Sequence, residues 1–200
     1  MPFSLKDING ISPAEVLPVT YYGDPKLEQP SHKIEAINET IRELARNMLL
    51  TMYENNGIGL AGPQVGKNLR IVTIDIPSDN SALNSPGEQL LLPRMPLVLI
   101  NPVVSPVTAE TDVVEEGCLS FPEIYGNVER PVTVMLQTEL LDGEKIQVPC
   151  GGLLGRCLQH EVDHLDGVIF VKRMDEQSRK AVDRKLKLLK SQTQKKLKNK

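Results

Sequence analysis

The chain has 200 residues, of which 40% are hydrophobic and 24% charged, a composition that suits one globular domain with enough apolar material for a core. The opening MPFSLKDING lacks the basic start and apolar run of a secretory leader, and the most apolar stretch, LLLPRMPLVLI, is broken by Pro93, Arg94 and Pro96. Neither secretion nor a membrane span is expected. The net charge of −3 divides unevenly: residues 171–200 hold twelve Lys or Arg against three acids, a local +9, which leaves −12 on the remainder and hints at a polyanionic partner for the tail.

In chain order, residues 31–54 predict a first helix, because Ile34, Ile37, Ile41, Leu44, Met48 and Met52 recur at spacings of three and four and form one apolar stripe. The stretch NNGIGLAGPQVG that follows is too rich in Gly and Asn to continue it. GIGLAG (57–62) satisfies G-x-G-x-x-G literally, yet a helix precedes it and Pro63 and a strand follow, the reverse of a dinucleotide-binding context. No Lys-Ser or Lys-Thr follows Gly62, so a P-loop fails as well. A tight turn with close backbone approach is the better reading. Residues 69–76, LRIVTIDI, predict a strand, and residues 78–96 an irregular loop.

Further strands are expected at VLINPVV (98–104), GNVERPVTVMLQTELL (126–141) and KIQVPC (145–150), with a hairpin turning through LDGE. Residues 152–167 predict a second helix ended near Gly167. A last helix starts near Asp175, with Ala181, Val182, Leu186 and Leu189 on one side, and SQTQKKLKNK reads as a frayed tail. Strands cluster between helices. The class is therefore α+β: antiparallel β-sheets around a central helix, with an N-terminal helix and a basic C-terminal one. Residues 1–174 would form a single catalytic domain, with 175–200 a basic helix and tail belonging or appended to it.

The chemistry concentrates in LQHEVDHLDG. His160 and His164 lie four residues apart, one turn of helix, so both imidazoles can reach one ion, while Glu161 sits beside them as a potential base: the H-E-x-x-H arrangement of metallohydrolases. The bland alternative, a chance match in an amphipathic helix, is weakened because two of only three histidines stand here. The third, His32, has no motif around it and reads as a surface or capping residue. A metzincin would need a histidine where Phe170 stands. A thermolysin-like carboxylate would have to be Asp175, Glu176 or Asp183, all in the basic helix. Among cysteines, Cys118, Cys150 and Cys157 compete, and residue type alone does not choose; a Cys-His-His set would leave one position open for water. The three form no C-x-x-C pair, which argues against a disulfide framework and for a reducing compartment, cytoplasm by default with an organelle as the alternative.

Three segments in order, GIGLAGPQVG (57–66), EEGCLS (115–120) and QHEVDHLDG (159–167), closely resemble the motifs of peptide deformylase, over roughly residues 17–173. The resemblance selects Cys118 and implies metal ligation by Cys118, His160 and His164, with Glu161 as general acid and base. It implies that Gln64 and the backbone N–H of Leu119 bind the oxyanion. Ile58, Gly59, Gly117, Leu153 and Cys157 would contact the substrate, and Glu116 would pair with Arg130 to brace the cysteine strand. Gly62 stands where the family usually has alanine, and Tyr125 and Arg156 fall at pocket-side positions that vary within it.

The implied reaction removes formate from the N-formylmethionine of nascent chains. Its cofactor would be one Fe²⁺ per chain, with Zn²⁺, Ni²⁺ or Co²⁺ as substitutes. A zinc endopeptidase, or a binding module pinned by a structural metal, are the rival readings. The C-terminal lysines fit either a solvated helix face or docking on ribosomal RNA; no DNA or membrane partner is expected.

Overall fold

The computed structural model describes residues 14–77 and 85–199. The opening segment read for a leader, and residues 78–84 of the expected loop, lie outside the described residues.

Among the described residues, seven strands occur in chain order: β1 (Gly59–Ala61), β2 (Ile71–Ile74), β3 (Leu97–Pro106), β4 (Thr111–Gly117), β5 (Tyr125–Pro131), β6 (Val134–Leu140) and β7 (Lys145–Cys150). Five form an antiparallel sheet in the order β1-β2-β3-β6-β7, and β4 and β5 form a separate antiparallel hairpin. Four helices accompany them: α1 (Glu39–Glu54), α2 (Pro86–Leu91), α3 (Gly152–Leu165) and α4 (Glu176–Lys198). The class is the expected α+β one.

Helix α1 begins eight residues later than its apolar periodicity predicts. Asn38 caps it, accepting a hydrogen bond from the Ile41 N–H at 3.0 Å. Residues 31–37 stay extended because their backbone has better partners elsewhere. The Ile34 N–H donates to Asn101 Oδ1 at 2.9 Å, and Asn101 Nδ2 donates back to the Ile34 carbonyl at 2.8 Å. The periodicity was right about burial: Ile34 and Ile37 share one apolar cluster with Ile41, Leu44, Met48 and Met52. Each fully buried side chain there contributes about 1.5–3 kcal/mol.

Three further departures have local causes. Part of the expected irregular loop is helix α2, which starts with a capping box: Ser85 accepts from the Glu88 N–H while the Glu88 carboxylate accepts from the Ser85 N–H, and Pro86 occupies the first helical position. Strand β4, which carries no sequence signal, is exposed at every residue but Glu116 and so does not alternate. The long candidate 126–141 divides at Pro131 into β5 and β6, which belong to different sheets. Helix α4 also runs through the expected tail to Lys198, a stretch of Lys, Gln and Leu with no Gly or Pro to break it.

Helix α3 occupies the centre. Every residue from Leu154 to Leu165 is buried. Its end is a Schellman motif: the Val168 N–H reaches the Asp163 carbonyl at 2.8 Å, the Gly167 N–H reaches the His164 carbonyl at 3.2 Å, and Gly167 takes φ +72°. Helix α4 packs on β5 through a cluster containing Phe121, Ile124, Val128, Met174 and Leu186.

Candidate metal centre and catalytic cleft

Helical spacing places His160 and His164 one turn apart on α3, with ring centroids 5.1 Å apart. Cys118 follows β4 directly, so the hairpin delivers its thiol to the helix. The Cys118 Sγ lies 3.2 Å from His164 Nε2, and the ligand atoms of Cys118, His160 and His164 all fall within 4.8 Å of one another. Neither other cysteine joins them. Cys150 is buried on β7, its Sγ 3.6 Å from the Val148 carbonyl, and Cys157 lies under the Ile58 carbonyl at 3.9 Å. Burial pushes the thiol of Cys150 up to about 12 and that of Cys157 well above its ordinary value, so both behave as small apolar groups.

A chain of alternating charges holds the three candidate ligands. Glu116 Oε2 receives His160 Nδ1 at 2.9 Å and Arg130 Nη2 at 3.0 Å, while Glu116 Oε1 receives Arg130 Nε at 2.7 Å and Arg156 Nη1 at 2.8 Å. Arg130 Nη1 continues to Asp163 Oδ2 at 2.8 Å, and Arg173 Nη2 meets Asp163 Oδ1 at 2.8 Å. Arg156 also pairs with Asp112. Burial alone would raise the Glu116 carboxyl, but the hydrogen bonds from His160 and Arg130 outweigh it and hold Glu116 well below the usual range. With Nδ1 engaged by Glu116, His160 turns Nε2 toward Cys118.

The donor set suits a divalent cation. Burial works against charge on His160, yet its bonds to Cys118 and Glu116 push it up to about 10. Neighbours that hold a proton so firmly would equally favour a metal in its place. His164, by contrast, is driven well below its ordinary value by burial and by His160 beside it, which leaves a neutral imidazole ready to ligate. Two buried polar atoms of the site, His164 Nδ1 and Glu161 Oε2, have no hydrogen-bond partner among the described residues. An unpartnered carboxylate oxygen next to a cysteine sulfur and two imidazoles is what an ion with its solvent would satisfy.

Glu161, buried beside the ligands, is raised to about 7 by that burial. Gly59 on β1 lies against it: a Cβ there would stand 2.5 Å from Glu161 Oε1 and 2.9 Å from Cys157 Sγ, so any side chain at 59 displaces the acid. Gln64 sits in a short 3₁₀ turn. Its Oε1 accepts from the Ala61 N–H at 2.7 Å, which aims Nε2 at Cys118 Sγ and Ser120 Oγ, both 3.4 Å away. The Leu119 N–H has no partner among the described residues.

One cleft of about 580 Å³ gathers Ile58, Gly59, Gln64, Glu116, Gly117, Cys118, Leu119, Leu153, Cys157, His160 and Glu161. His164 and Arg130 stand behind its wall. Tyr125 and Arg156 also line it; the Tyr125 ring lies against Gly117, where a Cβ would come within 2.6 Å of it. Sequence reasoning missed Asp163, Asp112, Arg173 and Ser120. The Asp inside HEVDH, buried with the motif's own residues, was the available sign for Asp163.

A helix-borne H-E-x-x-H joined to a cysteine from a neighbouring hairpin, at the floor of a cleft, defines a metal-dependent hydrolase. The family described as Polypeptide deformylase matches residues 16–180. Peptide deformylase 2 of Gloeobacter violaceus is 46% identical over 155 residues, covering 78% of this chain and 77% of that protein. A peptide deformylase structure from Synechococcus elongatus, 38% identical, superposes with a TM-score of 0.73 over 86% of this chain and 91% of that one. One from Ehrlichia chaffeensis, 32% identical, gives 0.77 over 89% and 97%. The chain belongs to the peptide deformylase family, hydrolases that remove the N-formyl group from nascent peptides.

Proposed function

We propose that Cys118, His160 and His164 hold the ion for N-formyl hydrolysis, that Glu161 is the general acid and base, and that Gln64 and Leu119 bind the oxyanion. The observation that carries this reading is the meeting of three ligand atoms within 4.8 Å beside a buried, unpartnered Glu161 carboxylate. When bound, the ion supplies Lewis acidity, making solvent acidic and polarising the formyl oxygen. Glu161 takes the proton of the water that attacks the formyl carbon. As charge gathers on the formyl oxygen, Gln64 Nε2 and the Leu119 N–H donate to it. The C–N bond then breaks, Glu161 passes its proton to the departing amine, and formate leaves. Ile58, Leu153 and Cys157 give the methionine side chain an apolar wall, and the backbone at Gly59 and Gly117 lines the flanks where the peptide would lie.

The ion we infer to work physiologically is Fe²⁺, with Zn²⁺, Ni²⁺ or Co²⁺ able to replace it. A thiolate beside two imidazoles accepts any of these. The decisive assay compares formyl-Met-Ala-Ser with a blocked internal peptide, under anaerobic conditions and with metal content measured alongside. Release of formate from the first, without cleavage of the second, is expected. Cleavage of the blocked peptide would favour the endopeptidase reading instead.

The setting we propose is the cytoplasm, with the ribosome as a docking partner through α4. Among the described residues no helix is long and apolar enough to cross a membrane, and Lys180, Lys185, Lys187, Lys190, Lys195, Lys196 and Lys198 are all exposed. Phosphate contacts by such a face make binding fall steeply with salt. Co-sedimentation with ribosomes should weaken when Lys187, Lys195 and Lys196 are changed to Gln; undiminished binding removes the idea.

A further inference from the structure

Arg156 lies on α3 one turn before His160, between apolar neighbours, and only 9% of it is exposed. Although it borders the cleft, its guanidinium is spent on protein. Nη1 donates to Glu116 Oε1 at 2.8 Å and to the Val128 carbonyl at 3.1 Å. Nη2 donates to the Asp112 carbonyl at 3.2 Å and pairs with the Asp112 carboxylate. All of these acceptors belong to the β4–β5 hairpin: Asp112 near the start of β4, Glu116 near its end, Val128 on β5. One side chain of the helix therefore grips both strands of the hairpin that delivers Cys118.

The grip matters because of the sheet order. The hairpin shares no strand pairing with the five-stranded sheet; backbone bonds and an apolar cluster tie it to the 169–175 segment and α4, and side-chain bonds tie it to α3. The bidentate pair of Arg130 with Glu116 closes inside the hairpin, since Arg130 stands on β5 and Glu116 on β4. Only its Nη1, on Asp163, crosses to the helix. The other crossings are His160 to Glu116, Gln159 Nε2 to the Pro131 carbonyl at 3.0 Å, and the four bonds of Arg156.

We propose that Arg156 is a positioning residue for the metal centre: it fixes the hairpin carrying Cys118 against the helix carrying His160 and His164, and helps Arg130 anchor Glu116 on His160. This rests on those three residues being the ligands. Its signature is therefore the hold on the ion and the geometry of the sulfur ligand, beyond any loss of stability.

The test loads the protein with Co²⁺ and follows its release to a chelator, together with the thiolate-to-cobalt absorption band. Arg156→Met should release cobalt about tenfold faster, as for other partners that orient metal ligands, and should shift the band. Asp112→Asn, at the half-exposed end of the tether, should speed release less, and Arg156→Lys should fall between wild type and Arg156→Met. A lowered melting temperature of the metal-free Arg156→Met protein, with release rate and band unchanged, would mean a merely structural pin and overturn the proposal. If Arg156→Met does not fold, unchanged release in both Asp112→Asn and Arg156→Lys overturns it equally. A wild-type protein that binds no cobalt would sink the ligand assignment, and the proposal with it.

Discussion

Glu161→Ala is expected to keep its full complement of metal and to lose formate release by about 10³-fold, within the range for a missing general base. The two halves of this expectation have separate causes. Glu161 is not among the three residues whose ligand atoms converge, so its removal leaves the donors in place. It is nevertheless the carboxylate beside them, enclosed by Gly59 and Cys157, and burial raises it to about 7. A carboxyl poised near neutral can both take and return a proton at working pH. Metal analysis and steady-state turnover on one preparation check the pair of claims. Near-normal turnover would remove Glu161 from the proton path.

Cys118→Ala should lose the ion. The thiolate is the single anionic donor of the set, and partners that merely orient ligands already cost roughly 10–100-fold in affinity when removed. Deleting a ligand should cost more. Elemental analysis after dialysis measures the outcome; retention of about one ion per chain would show that another group completes the site. The same substitution deprives Gln64 Nε2 of one of its two neighbours at 3.4 Å, so the amide that we assign to the oxyanion should lose part of its aim even if some metal stays.

Much of the fold could be read from the chain alone where residue type and turn signals mark an element's ends. The 152–167 helix, ended by Gly167, and the hairpin through LDGE stand where expected, and the β-branched run at 69–76 holds a shorter strand, Ile71–Ile74. The failures share a different physics. Residues 31–37 have helical apolar spacing, but the Asn101 side chain satisfies the Ile34 backbone better than a helix would. Strand β4 escaped because all its residues but Glu116 are exposed, so burial leaves no alternation in its sequence, whereas its partner β5 alternates. Helix α2 was legible and was passed over: S-P-G-E is a capping-box pattern.

The site divides in the same way. Spacing on one helix pointed to His160 and His164, whereas residue type could not choose among three cysteines and only the likeness of EEGCLS to a family motif did, since the choice depends on how the hairpin is docked. That docking uses Arg156 and Asp163, whose roles are invisible until the partners across the fold are known.

The burial of every residue of α3 from Leu154 to Leu165 has a consequence for how the centre works. A helix enclosed from Leu154 to its end is held by its surroundings on every side there, so the imidazoles and the acid it bears are already oriented before substrate arrives. The reaction then incurs little reorganisation at the moment charge develops. Adaptation to different peptides must accordingly come from the more open walls, Leu153 and Tyr125, and not from the floor.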